Sequence, residues 1–136
     1  MKKFVSLLVT LCLAFCAVST TAFALPDEPG ISPYYLYASD VKPEAVWSGS
    51  NSVNFSCEVK GKDTATQVKI YLYLEEYNNG IWKQVDYVTK TVSGKSAKVS
   101  KTYNSASKSK DYRAYASVYV YSGSAYEHIE KYSTTI

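Results

Sequence analysis

The chain contains one histidine, His128, and that count bounds the catalytic chemistry open to it. A metal site built on several histidines is excluded, and no Cys/His spacing of a structural zinc site occurs. A Ser-His-Asp triad would have to draw His128 together with a serine and a carboxylate, but no G-x-S-x-G nucleophile motif supports it. The two Ser-Gly-Ser stretches, at 48–50 and 122–124, read more simply as turns. Glu75 and Glu76 are adjacent on a candidate strand, so they point to opposite faces and cannot form an acid/base dyad together. Pairing either with Asp86 or Glu58 is geometrically possible and has no motif behind it. The expectation is a protein that is not an enzyme and uses no metal and no cofactor.

What the chain has in excess is tyrosine, 14 residues in all, and their spacing is informative. From Tyr112 to Val120, Ala114, Ala116, Val118 and Val120 alternate with Arg113, Tyr115, Ser117 and Tyr119. Side chains repeat every two residues across a pleat, so this is a strand with one buried face. Ser122-Gly123-Ser124 breaks the run and a second alternating run follows, which predicts a β-hairpin. With Gly123-Ser124 as a two-residue turn, Tyr121 opposes Tyr126, Tyr119 opposes His128, Ser117 opposes Glu130 and Tyr115 opposes Tyr132. Val118 then meets Ile129 on the buried side, so a single register serves both faces.

An earlier hairpin has the same design. Val68, Ile70, Leu72 and Leu74 alternate with Lys69, Tyr71, Tyr73, Glu75 and Tyr77, and Asn79-Gly80 supplies the turn. That register pairs Asn78 with Ile81, Tyr77 with Trp82, Leu74 with Val85 and Tyr71 with Val88. The candidate binding residues are therefore Tyr71, Tyr73, Trp82, Tyr115, Tyr119, Tyr121, Tyr126, His128 and Tyr132. One reading is a structural cross-strand ladder, worth roughly 0.2–1 kcal/mol per pair. The other is an exposed, nearly flat binding surface, because tyrosine gives rigid amphipathic contact area at low entropy cost. If His128 lies within such a contact, binding would vary with pH between about 5 and 8.

The remaining elements follow in order. Tyr34 to Val41 forms a first strand, interrupted at Pro43 and resumed through Val46 and Trp47, with the prolines placing it at an edge. Gly49-Ser50-Asn51 turns the chain into a strand in which Val53, Phe55, Cys57 and Val59 face one way. Gly61-Lys62-Asp63 leads to the first tyrosine hairpin, Ser93-Gly94 closes it, and Ala97, Val99 and Tyr103 belong to a further strand. Seven strands with frequent turns and no helical period predict an all-β antiparallel sandwich. Lys95, Lys98, Lys101, Lys108 and Lys110 lie in a segment without acids. They read either as a patch for anionic polymers such as wall teichoic acids or as a solvated loop and lysine-protected edge, and the second is favoured.

Residues 1–24 read as a cleaved export signal. Lys2 and Lys3 are followed by the apolar run Phe4 to Val18 and a small-x-small site at Ala22-Phe23-Ala24. An uncleaved anchor and a lipoprotein site at Cys16 are the rivals, but Phe15 is too bulky for the latter. Residues 25–33, with three prolines and Gly30, suit a loose arm, leaving 34–136 as one domain. Removing the signal leaves 13 basic against 12 acidic residues, a net charge of about +1, which gives little pull toward nucleic acid. Cys57 would be the one cysteine left, so no internal disulfide can form.

The pattern resembles the immunoglobulin and fibronectin type III sandwich. Cys57 sits mid-strand where immunoglobulin domains place their first cysteine, and Tyr112-Arg113-Ala114 resembles the Tyr-x-Cys tyrosine corner with Ala114 at the second cysteine. No tryptophan lies on the third strand, so the resemblance leans to the fibronectin variant, which closes without a bridge. It implies that Tyr112 is buried with its hydroxyl bonded to nearby backbone. The chain is also similar to small tyrosine-rich secreted proteins of Gram-positive bacteria that have no established function. The expected role is a secreted binding module for a cell-wall or host glycan or a protein, without stable membrane insertion after cleavage. The alternative is a structural or self-associating extracellular matrix protein, and a secreted hydrolase or small toxin ranks third.

The secreted form should begin at Leu25. Intact-mass spectrometry checks this; a diacylglycerol on Cys16, or recovery from membranes alone, would contradict it.

Overall fold

The computed structural model describes residues 34–136; the expected signal at 1–24 and arm at 25–33 lie outside them. Seven strands follow one another: β1 Ala38–Trp47, β2 Val53–Gly61, β3 Gln67–Asn78, β4 Ile81–Ser93, β5 Ser96–Tyr103, β6 Tyr112–Ser122 and β7 Ala125–Tyr132. They form a three-stranded sheet ordered β1-β2-β5 and a four-stranded sheet ordered β4-β3-β6-β7. Every neighbouring pair is antiparallel.

The alternation seen in the sequence becomes the core. Val53, Phe55, Cys57 and Val59 of β2, Val68, Ile70, Leu72 and Leu74 of β3, and Tyr112, Ala114, Ala116, Val118 and Val120 of β6 are all fully buried. Where β3 presents large residues, β6 answers with small ones: Leu72 pairs with Ala116 and Leu74 with Ala114. No polar or charged residue among those described is buried. Burial also pushes the Cys57 thiol up to about 12, so it serves as a small core residue and not as a nucleophile.

Two expectations need correction. The first strand begins at Ala38, not Tyr34, and is not interrupted at Pro43: β1 continues to Trp47, and Pro43 pairs with Cys57 within it. This is tolerable because β1 has a neighbour on one side only, so a missing N–H breaks no second ladder. The β3–β4 register also changes. Tyr77–Trp82 and Asn78–Ile81 pair as expected, but Leu74 pairs with Asp86 and Tyr71 with Thr89, not with Val85 and Val88. A bulge between Leu74 and Glu75 absorbs one residue of β4. Its cause is parity: Val85 and Val88 are three apart, so an unbroken strand would send them to opposite faces. With the bulge, Val88 pairs with Leu72 and Val92 with Val68, and Val85, Val88 and Val92 all pack against the core.

Tyr112 occupies a corner. Its ring packs edge-on against Trp47 at 5.6 Å between centroids, and its hydroxyl accepts from the Ser107 N–H at 3.0 Å. The same hydroxyl donates to Glu76 Oε2 at 2.9 Å, and Lys110 bonds the other carboxylate oxygen. Burial alone would raise the Glu76 carboxyl, but the bonds from Lys110 and Tyr112 outweigh it and hold the group below its ordinary value. On the opposite margin, Glu127 of β7 accepts from the amides of Leu36, Tyr37 and Ala38 at 2.8, 2.8 and 3.1 Å. Lys131 reaches the Val41 carbonyl at 2.8 Å. Inward-pointing charges on edge strand β7 thus tie β1 to the other sheet.

A carboxyl held low when folded contributes stability above its unfolded value and loses it as pH falls through the folded one. Glu76→Gln should therefore cost about 1.5–3 kcal/mol at neutral pH, a charge-assisted hydrogen bond's worth. The deficit should shrink below about pH 4.5, where the wild type loses the same term. Urea unfolding of both proteins from pH 3 to 7 checks this; a gap independent of pH would contradict it.

Candidate functional site

The second hairpin fixes half of the site. Ser122 pairs with Ala125, Tyr121 with Tyr126, Tyr119 with His128, Ser117 with Glu130 and Tyr115 with Tyr132, in the register expected from the sequence. Gly123 has φ 62°, the conformation that a type II′ turn asks of its first central residue. At the other hairpin Asn79 and Gly80 have φ 52° and 85°, the pair of left-handed residues of a type I′ turn. β3 lies beside β6, placing Tyr71 against Ser117 and Tyr73 against Tyr115. All nine candidate residues come to the outer face of the four-stranded sheet: on β3 and β6 their strand neighbours of opposite parity fill the core, and Trp82, Tyr126, His128 and Tyr132 pair across from outward residues of those strands.

The rings touch in two groups. In one, Tyr119 is stacked on His128 at 4.3 Å and 12°, meets Tyr71 edge-on at 6.1 Å and Tyr126 at 5.8 Å, and Tyr126 meets Tyr121 at 5.7 Å. In the other, Tyr115 stacks on Tyr132 at 4.8 Å and on Tyr73 at 5.7 Å, and Tyr73 reaches Tyr87 at 6.4 Å. Arg113 extends this second group: its guanidinium lies 4.1 Å from the ring centroids of both Trp82 and Tyr132. Trp82 in turn meets Tyr77 at 5.2 Å.

Ser117 stands between the groups as the one small side chain in the outward row of β6 from Arg113 to Tyr121. Its hydroxyl lies 2.8 Å from His128 Nε2. The Tyr115 hydroxyl donates to Glu130 Oε1. Burial, then that bond to a carboxylate, raise the Tyr115 phenol well above its ordinary value, so it stays a donor. Arg113 Nε donates to Glu75 Oε2 at 2.7 Å.

The face departs from the expected flat, fully exposed plane. Tyr126 and Tyr132 are 59% and 50% exposed, but Tyr71, Tyr73, Tyr115, Tyr119 and Tyr121 are half-buried, since each ring leans on the next. Two members were missed from the sequence. Tyr87, 57% exposed, pairs with Tyr73 only because of the bulge, and the odd spacing of Val85 and Val88 was its signal. Arg113 was visible as an outward position, but nothing in the pattern marked it as a filling between rings.

Each lysine of the lysine-rich segment has a contact partner. Lys95 lies 2.7 Å from Asp63, Lys98 3.7 Å from Glu58 and Lys101 2.6 Å from Asp86. Lys108 sits 3.5 Å over the Trp47 ring, and Lys110 pairs with Glu76. An open groove of about 440 Å³ runs elsewhere, between Lys42–Val46 of β1 and residues 131–134, and shares only Tyr132 with the tyrosine face.

No protein-family model matches the chain. No curated protein matches it either. Among solved structures, a protein from Archaeoglobus fulgidus is similar over 73% of this chain and 94% of its own, at 12% identity and a TM-score of 0.41. The sporulation control protein Spo0M from Bacillus subtilis is similar over 68% of this chain and 49% of its own, at 12% identity and a TM-score of 0.33.

Proposed function

We propose that this protein is an exported, non-enzymatic binding module that uses the outer face of its four-stranded sheet to hold a glycan of the cell envelope or of a host. The observation that carries the reading is the continuity of that face. Two ring groups span β4, β3, β6 and β7, on the side of the sheet that the core does not use. A ladder stabilises a sheet through neighbouring pairs, each worth roughly 0.2–1 kcal/mol, and needs no such coverage. Half-open rings edged with hydroxyls suit sugar rings, which offer apolar C–H faces and polar rims.

The fold belongs to the same reading. A three-stranded sheet against a four-stranded one, a buried Tyr112 bonded back to the Ser107 amide, and a free Cys57 in place of a bridge support a fibronectin type III-like sandwich. Export rests on the sequence of residues 1–24. A self-associating matrix protein is the second reading. It is favoured by the position of the most exposed rings of the face, since Tyr87, Tyr126 and Tyr132 lie on the two edge strands, β4 and β7.

Tyr71, Tyr119 and Tyr121 changed together to serine should reduce sedimentation with purified cell envelopes at least tenfold. The loss in unfolding free energy should stay at a few kcal/mol, the sum of the ladder pairs. Lost stability with envelope binding intact would reduce the tyrosines to a ladder. Concentration-dependent dimers in the wild type, abolished by the same changes, would favour self-association.

A further inference from the structure

The ionic groups of the tyrosine face balance one another in number, and that limits the charge of what it can hold. Arg113 is paired with Glu75 at 2.7 Å, and its guanidinium lies 4.1 Å from the Trp82 and Tyr132 ring centroids, so its charge and its flat faces are both in use. Lys69 lies 4.9 Å over the Tyr71 ring. Against these two cations stand Glu75 and Glu130, so the formal charge of the face sums to zero. The basic cluster at 95–110 lies away from it, each lysine held by an acid or by Trp47. A carboxylated or phosphorylated polymer would find Lys69 as the one cation of the face without an acid partner among the described residues, and would meet the exposed Glu130 as a like charge.

What the face does offer is uncharged hydrogen bonding beside half-buried rings. Ser117 lies two positions from Tyr115 and two from Tyr119, so the rings start roughly 13 Å apart along β6 with the small residue between them. Glu130 and Tyr71 flank Ser117 on the neighbouring strands. Among the described residues, Glu130 Oε2 and His128 Nδ1 have no hydrogen-bond partner; the other polar atom of each is held by Tyr115 and Ser117. Held polar groups with one open atom each are the arrangement that orients a polyhydroxylated ligand.

Resting on the glycan-binding reading above, we infer that the ligand is an uncharged glycan: its sugar units lie across the outward edges of Tyr115 and Tyr119 on either side of Ser117, and its hydroxyls bond to Glu130 and His128. Glu130 and His128 then determine specificity, while Arg113 positions Trp82 and Tyr132.

Affinity gel electrophoresis of the full-length secreted protein tests this. The gels carry neutral mixed-linkage β-glucan or galactomannan, anionic polygalacturonate or lipoteichoic acid, or cationic chitosan. The expected result is retardation by at least one neutral polymer, changing less than twofold between 50 and 500 mM NaCl, and none by the charged ones. Glu130→Gln should weaken it about tenfold. Ser117→Tyr, which fills the gap with a good strand former, should abolish it while the melting temperature holds. Retardation by no neutral polymer overturns the inference. So does salt-sensitive retention by a charged one, or a Ser117→Tyr protein that folds and binds as before. Envelope binding that still depends on Tyr71, Tyr119 and Tyr121 would leave the broader glycan reading standing in the first two cases; its absence would remove both.

Discussion

Everything on the tyrosine face depends on one constraint, the two-residue repeat of an extended chain packed against a core on one side. β3 and β6 bury Val68, Ile70, Leu72 and Leu74, and Ala114, Ala116, Val118 and Val120. Having done so, they have no freedom over where Tyr71, Tyr73, Tyr115, Tyr119 and Tyr121 go. A slip of one residue would exchange the two sets, sending phenols into a core filled by alanine and valine. Two turns make the slip harder still, because Asn79-Gly80 and Gly123 adopt the left-handed backbone that two-residue hairpins require. The face is therefore a consequence of the core, and its order follows from the same hydrophobic burial that folds the domain.

The margins of the sandwich are managed by charges. Glu127 and Lys131 point inward from edge strand β7 and bond to backbone of the segment that begins with Leu36 and continues as β1. Glu76, Tyr112 and Lys110 close a corner in the same way. Several carboxylates that the sequence offered are paired as well. Glu75 is spent on Arg113, Glu76 on Lys110 and Asp86 on Lys101.

Much of this was legible from the chain alone where periodicity and turn chemistry agreed. The β6–β7 register and the two-sided tyrosine strands could be read from it, and the resemblance to a tyrosine corner implied the buried Tyr112. What escaped depended on long-range partners. Pro43 looked like an interruption, although the edge position that its prolines already implied lets a strand run through a residue without an N–H. The bulge in β4 was encoded, in the odd spacing of Val85 and Val88, but Asn79-Gly80 suggested a uniform register that concealed it. The clamp of Glu127 on three amides about 90 positions away left no local trace. Nor did the pairing of each lysine in the basic segment, since charge partners are chosen by the fold.

The central claim is that a ligand covers this face and no other. Hydroxyl-radical footprinting of tyrosines, with and without purified cell envelopes, measures that directly. Tyr126 and Tyr132 are 59% and 50% exposed, and Tyr34, 87% exposed near the start of the described chain, serves as an internal control. The account predicts that Tyr126 and Tyr132 become protected while Tyr34 keeps its reactivity. Protection of Tyr34 alone, with Tyr126 and Tyr132 unchanged, would contradict it.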